Sequence, residues 1–337
     1  MEHASVFEAG MPDWQDLRLF LELDRRGSFR AASAVVGLSI NTLRRRIDDL
    51  EAQLGVTLLT RHAAGIRLTT EGEAILAAAR TMESAAYSVL RARDAASATP
   101  TGEVRIAVTE GLGTFWLAPR LVEFQRANPR LVVDLRCAMD PADVGRLEAD
   151  VAVQLVRPSN PDLKVVKLGR LHAMAFAARS YLDIYGVPAG VEDAARHRIV
   201  LQVSNQTVSM AEYDRHTPDK PQSGYVTLKT NVSSAHYWAV ANGAGIGWLP
   251  TYAAAIGARL VPIDGLVQIG LDIWLTYHPD AERIDRVRQA INWIRTSFDP
   301  VRYPWFRDAF IHPRDLPATL KGGTMPELFA GFAGMER

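Results

Sequence analysis

The sequence predicts a small, mainly α domain built around a helix-turn-helix, then a long helix, then an α/β domain. Three observations carry this. Residues 28–55, SFRAASAVVGLSINTLRRRIDDLEAQLG, read as two helices around a tight turn. Residues 70–96 repeat small and apolar side chains at helical spacing, and from Glu103 strands and helices alternate. At 337 residues the chain is too long for one compact core, so two or three domains are expected.

Residues 1–12 read as a mobile leader. Asp13 caps a first helix that closes near Gly27. Ser28 caps the second, Phe29, Ala32 and Val36 share one face of it, and Gly37 supplies the left-handed residue that stops it. Ser39 caps the third, along which Leu43, Ile47, Leu50 and Leu54 recur at steps of four, three and four before Gly55 ends it. Asn41, Arg44 and Arg45 point away from that stripe, Thr42 and Arg46 flank it, and Asp48, Asp49 and Glu51 follow. Three consecutive arginines near a helix N-terminus oppose the macrodipole by a few tenths of a kcal/mol or more. A broken local rule marks a working surface. With only the basic half of this helix in a major groove, the arginines meet phosphates and base edges while the acidic half stays clear of the duplex.

Residues 58–61 and 66–69 read as a two-stranded wing around a turn at Ala64-Gly65. Thr70-Glu71-Gly72-Glu73 is a capping box that opens a helix reaching about Ala96. Within it Ile75, Ala79, Met82, Ala86 and Val89 repeat at four and three, the seam of a coiled coil. Packing within the chain is the alternative for so alanine-rich a helix. SATPTG at 97–102 breaks it as a hinge.

Strands are expected at 104–108, 131–137 and 151–155, with helices at 115–127 and 142–147 between them. A second α/β unit follows, with strands at 173–177, 198–203, 226–230 and 246–249 and helices around Tyr181-Leu182 and at 234–241. A strand at 273–277 and an amphipathic helix at 284–298 close it. Cys137 alternates with Leu131, Val133 and Leu135 on one strand face, so a buried thiol is expected. Tyr303, Trp305, Phe306, Phe310, Phe329 and Phe332 make residues 299–337 too apolar for a solvated tail, which is expected to pack on its own subunit or on a partner.

The N-terminal residues combine into a family pattern. Trp14, Leu17 and Phe20 lead into Gly27-Ser28-Phe29 and Ala31-Ala32, then Ser39, Ile47, Leu50-Glu51, Leu54-Gly55, Leu58 and Arg61, and Gly65-Ile66-Arg67-Leu68-Thr69 with Gly72. This resembles the N-terminal domain of the LysR-type transcriptional regulators, a winged helix-turn-helix. Ile40, Arg44 and Leu59 depart from the residues common there, which bears on base preference: Ile40 can touch only an apolar edge such as a thymine methyl. The resemblance implies a domain at 13–70, a linker helix at 71–97 that pairs into a homodimer, and a hinge at 98–102. It implies a two-lobed α/β effector domain similar to periplasmic solute-binding proteins, with crossings near Gly169 and Gly270. Lobe I is then 103–169 with 271–298, lobe II is 170–270, and 299–337 runs beyond the usual family end.

The family places the wing beside the minor groove, so Arg61 and Arg67 join Ser39, Ile40, Asn41, Thr42, Arg44 and Arg45 as DNA-facing residues; wing contacts position without specifying sequence. The implied partners are double-stranded DNA bearing an inverted repeat, further copies of the chain up to a homotetramer, and RNA polymerase if the protein activates. No cofactor is implied beyond a small-molecule effector.

Ligands of two-lobed α/β domains sit at the carboxyl ends of strands and at helix N-termini, between the lobes. That nominates Thr109 and Glu110 after the first strand, Gln154 after the third, Asn205 after a strand of the second lobe, and Asn231, Ser233 and Ser234 before a helix. Thr109 and the 231–234 segment match positions that line the family's pocket; helix capping is the alternative for such residues. Glu110 stands beside a helix N-terminus that in relatives often receives a carboxylate ligand. It points to a neutral or cationic effector, unless it caps that helix and takes no part.

Composition removes other classes. A formal net charge of zero argues against a protein that coats nucleic acid indiscriminately. No run approaches the roughly 18 apolar residues of a spanning helix. The N-terminus lacks the layout of a signal peptide, so a cytoplasmic location is expected. Cys137 alone makes no internal disulfide, thiolate cluster or two-cysteine switch. The eight histidines form no HxxxH or HxH pair, so no metal site is expected. Gly243-Ala244-Gly245-Ile246-Gly247 follows a helix and precedes a strand, the reverse of the dinucleotide fingerprint. Glu110 and Asp140 lack any recognisable nucleophile or base as partner, so no enzyme is expected. A ligand-binding protein without DNA function would draw on residues 103–298 alone.

Overall fold

A computed structural model describes residues 11–62, 65–95, 102–194, 196–204, 206, 224–257, 259–321 and 323–329. Most of the expected leader and hinge, the wing-turn residue Ala64, Asn205 and Phe332 lie outside these. The chain divides into two units, Met1–Leu90 and Arg91–Arg337.

In the first unit, α1 (Trp14–Arg26) begins where the Asp13 carboxylate accepts the Gln15 amide at 2.8 Å. Ser28 and Ser39 cap α2 (Phe29–Val36) and α3 (Ile40–Leu54) by accepting the Ala31 and Thr42 amides at 3.2 and 3.1 Å. Gly37, at φ 71°, makes the left-handed turn between them. Leu43, Ile47 and Leu50 are fully buried against Leu17, Phe20 and Leu21, and each such side chain contributes about 1.5–3 kcal/mol. Glu51 turns back to accept the Leu58 and Leu59 amides at 2.6 and 3.2 Å, tying the end of α3 to the wing. The wing is β1 (Leu59–His62) paired antiparallel with β2 (Gly65–Leu68).

The helix after the wing, α4 (Thr70–Ala95), starts differently from expectation. Its cap is Thr69, whose Oγ1 accepts the Gly72 amide at 2.9 Å and donates to the Thr57 carbonyl at 2.6 Å. The cap therefore falls at Thr69 instead of Thr70, and with Gly72 at the third helical position the expected capping box does not form. The apolar stripe on α4 also divides. Ala79 is buried at 1 % exposure and Ile75 packs on the first unit's own core, so Ala79 is not available to a partner helix. Met82 and Val89 are 45 % and 69 % exposed, and Ala86 is exposed with them.

The second unit is organised on a seven-stranded sheet among the described residues. β3 (Gly102–Thr109) pairs in parallel with β4 (Leu131–Ala138) and β5 (Val151–Gln154). Between β3 and β4 run α5 (Glu110–Leu112), a π turn at Gly113–Leu117 and α6 (Ala118–Ala127), a crossover that begins five residues before the expected helix. The helix expected at 142–147 is absent: the Asp143 carboxylate accepts the Gly145 and Arg146 amides, and Leu147 sits at φ 59°, so the segment is a set of turns. Cys137 is exposed where a buried thiol is expected, a further correction. It lies near the end of the edge strand, and its Sγ packs directly on Gly113, where a Cβ would stand 2.4 Å from it.

Two long strands carry the chain between the halves of this unit. β6 (Lys164–Ala178) and β11 (Ile269–Tyr277) pair antiparallel from Lys164↔Tyr277 to Ala173↔Ile269, and β11 also pairs β5. Beyond them β6 pairs with β9 (Gly247–Pro250) and β10 (Leu260–Pro262). α7 (Arg179–Tyr185) and α8 (Val191–Ala194) lead to β7 (Ile199–Gln202) and its parallel partner β8 (Val226–Thr230), and α9 (Ser233–Ala241) leads to β9. α10 (Ala253–Ile256) precedes β10, and α11 (Asp285–Ser297) follows β11 and packs on β3.

The aromatic tail folds back on its own chain. Tyr303, Trp305 and Phe306 set their ring edges on Trp116 at centroid distances of 4.7, 5.1 and 5.2 Å. Phe329, after the short helices α12 (Leu316–Thr319) and α13 (Met325–Leu328), stacks on Tyr252 at 5.5 Å. The Arg120 guanidinium lies 3.2 Å from the Trp116 ring centroid and donates to the Leu328 carbonyl at 3.2 Å. At Gly169 the backbone of β6 passes so near the tail that a Cβ would stand 2.5 Å from the Phe306 carbonyl oxygen.

Candidate DNA-binding face and effector cleft

Burial on one side of α3 decides what the other side can do. Asn41, Arg44 and Arg45 are exposed in its first two turns. The hydroxyls of Ser39 and Thr42 lie 2.8 Å apart and complete the cap. Ile40 is half-buried and packs on the core, so its side chain serves the fold as well as the surface. Arg46 is bonded to Asp16 through its Nε and lies 3.7 Å from Asp13, which removes it from the exposed basic run. Asp16 holds the Arg46 guanidinium above its ordinary range.

Arg44 and Arg61 share one platform. Their guanidinium carbons lie 5.6 and 5.2 Å from the centroid of the Phe29 ring, and Arg61 donates to Asp48 at 2.6 Å. The wing arginine is thereby brought beside α3. Arg67 is exposed on β2.

The candidate cleft residues come from the β3–β5 and the β7–α9 segments of the second unit. Thr109, at the end of β3, is 2 % exposed and donates to Gln206 Oε1 at 2.7 Å. Glu110 accepts the Ser234 amide at 2.9 Å and the Thr114 hydroxyl at 3.0 Å. Val232, the residue before α9, caps nothing, so Glu110 supplies the carboxylate that this helix N-terminus favours. Ser233 and Ser234 accordingly form the first turn of α9 rather than precede it. Ser233 accepts from Gln202 Nε2 at 2.7 Å, and a Cβ on Gly111 would stand 2.8 Å from the Ser233 Cβ.

A cavity of about 340 Å³, lined by Thr109, Arg136, Asp140, Glu148, Gln154 and Gln206 among others, adjoins the Thr109–Gln206 bond; apart from Gln206 its lining lies within residues 107–154. Gln154 donates to the Val156 carbonyl at 2.7 Å beside it. Asn231 is exposed and lines neither feature; Asn205 lies outside the described residues. Sequence reasoning missed Gln202, Gln206 and Met139. The first two follow the rule that nominated Asn205, position at and after the end of β7; Met139 contributes a backbone carbonyl, which carries no sequence signal.

Comparison with known proteins places this geometry in a family. The model described as the bacterial regulatory helix-turn-helix protein, lysR family, matches residues 14–73, and the LysR substrate binding domain matches residues 97–299. An HTH-type transcriptional regulator of Xanthomonas campestris pv. campestris is 27 % identical over 268 residues, 78 % of this chain and 70 % of that protein. The probable HTH-type transcriptional regulator LtrA of Klebsiella pneumoniae is 24 % identical over 286 residues, 83 % of this chain and 93 % of that protein. The fold is that of CrgA from Neisseria meningitidis, with a TM-score of 0.51 at 18 % identity over 84 % of this chain and 98 % of that one. No helix among the described residues is long and apolar enough to cross a membrane. The chain belongs to the LysR family of transcriptional regulators, with an N-terminal helix-turn-helix DNA-binding domain and a C-terminal substrate-binding effector domain.

Proposed function

We propose that the basic half of α3 enters the major groove of an inverted-repeat operator, and that a small molecule in the interlobe cleft sets how the assembled protein grips that DNA. Asn41, Arg44 and Arg45 read base edges and phosphates, while Arg61 and Arg67 hold the backbone from the wing. The observation that carries this reading is the exposure of Asn41, Arg44 and Arg45 on a helix whose opposite stripe is fully buried. Arg61 exchanges the exposed Asp48 carboxylate for a phosphate, a trade between charged partners at a surface.

The exposed residues Met82, Ala86 and Val89 pair the linker helices of two copies, and effector-domain contacts join two such dimers into a tetramer. Acting on operator DNA, the protein works in the cytoplasm and meets RNA polymerase if it activates. The lobes at 103–169 with 271–298 and at 170–270 close on the effector. Glu110 caps α9, the alternative that the sequence leaves open, and by occupying that N-terminus it leaves no place there for an effector carboxylate. The effector regulates to the extent that it binds one arrangement of the lobes better than the other.

Footprinting of the purified protein on the DNA upstream of its own gene, across a salt series, tests this. A discrete, extended protected region with a hypersensitive centre is expected. Weak protection that fades uniformly with salt and marks no site contradicts sequence-specific reading.

A further inference from the structure

Gln206 binds inside the cleft as a ligand would. Its side chain is 3 % exposed, and each end of its carboxamide meets a partner of fixed sense. Oε1 accepts the Leu155 amide at 3.0 Å and the Thr109 hydroxyl at 2.7 Å, and Nε2 donates to the Met139 carbonyl at 2.7 Å. A backbone N–H can only donate and a carbonyl can only accept, so the orientation of the amide is determined by its surroundings. Leu155 is 8 % exposed, Met139 7 % and Thr109 2 %, so an occupant that lacked either half of this pattern would leave a buried polar group without a partner.

We propose that Thr109 Oγ1, the Leu155 amide and the Met139 carbonyl form a primary-carboxamide cradle that Gln206 fills from within the chain, and that the effector is a small carboxamide which exchanges with it. The proposal rests on the cleft being the effector site. A carboxylate satisfies Leu155 and Thr109 but sets its second oxygen against the Met139 carbonyl, an ammonium can only donate, and a hydroxyl donates and accepts from a single atom where the carboxamide places two. The preference agrees with Glu110, one residue along, which repels an acid. The adjoining cavity lined by Gln154 and Arg136 gives room for the body of such a molecule. Gln206 bonds to partners at the ends of β3, β4 and β5 while lying just beyond β7, so its displacement releases one link between the halves of the effector domain.

The test is rescue of the full-length Gln206→Ala protein by acetamide, with acetate as the matched anion. In thermal unfolding, acetamide at saturating concentration is expected to raise the midpoint of Gln206→Ala by about 3 °C and to leave the wild type within error, with no rise from acetate. An equal response to both compounds, or none to either, overturns the cradle. Gln206→Glu, which keeps the volume, guards against a variant that fails to fold: it is expected to melt about 3 °C below the wild type, and an unchanged midpoint contradicts the proposal. Footprints of wild type and Gln206→Ala with and without acetamide separate the two layers of the reading. Rescue with identical footprints keeps the cradle and removes the cleft as the regulatory site; altered footprints of the variant without rescue keep the cleft and remove the cradle.

Discussion

Arg46 and Asp16 are joined across the helix-turn-helix, from the second turn of α3 to the first turn of α1. That bond divides a run of three arginines by role: Arg46 belongs to the fold, and Arg44 and Arg45 belong to the surface. Replacing Arg46 with Ala leaves the nearly buried Asp16 without its partner and is expected to cost about 1–2 kcal/mol of stability in urea denaturation. A variant as stable as the wild type would place Arg46 with its neighbours on the working face.

The exposed half of the α4 stripe makes a separate prediction. Met82→Asp introduces a charge among Met82, Ala86 and Val89 and is expected to lower the mass of the assembly by roughly half in light scattering, since a charge at a seam position opposes pairing. An unchanged mass removes this helix from the interface.

Acid sensitivity follows from His236. It is buried in α9, Nε2 lies 3.0 Å from the Val200 carbonyl, and burial pushes its pKa down to about 4. The unfolded chain takes up that proton near pH 6.5, so the contribution to stability is complete above that value. It is lost as pH falls toward 4, by up to about 3 kcal/mol. The unfolding midpoint is expected to fall more steeply between pH 7 and 4.5 for the wild type than for His236→Gln, and parallel curves count against this origin.

The C-terminal aromatic cluster is a part of the effector domain's core. Trp305 is 1 % exposed among Trp116, Tyr252, Tyr303, Phe306 and Phe329, so Trp305→Ala is expected to cost about 3–5 kcal/mol in denaturant unfolding. A loss under 1 kcal/mol would show that the tail is dispensable to the fold.

Where structure is set by neighbours in sequence, it was legible in advance. Ser28, Ser39, Gly37 and the stripe Leu43, Ile47, Leu50 define their helices by local chemistry, and the structure has them so. Thr69 and Thr70 differ by one residue and carry the same hydroxyl, and the choice between them is made by the distant Thr57 carbonyl. Asp143 turns a helix-like segment into bends, and Cys137 obeys the alternation of its strand yet lies at an edge where alternation no longer implies cover. Thr109, Glu110, Ser233 and Ser234 stand at strand and helix ends that the sequence marks, and Glu110 meets Ser234 while Thr109 meets Gln206. Gln206 escaped because its three partners come from three separate segments, and the docking of the tail on Trp116 escaped for the same reason.

The most direct measurement is equilibrium binding of wild type and Arg45→Ala to the footprinted operator across a salt series, with thermal unfolding of both. The account predicts that Arg45→Ala weakens specific binding by about 1–3 kcal/mol, with a shallower salt dependence if the contact is to phosphate, and leaves the unfolding midpoint unchanged. Equal affinity in the two proteins would contradict the placement of the exposed face of α3 on DNA.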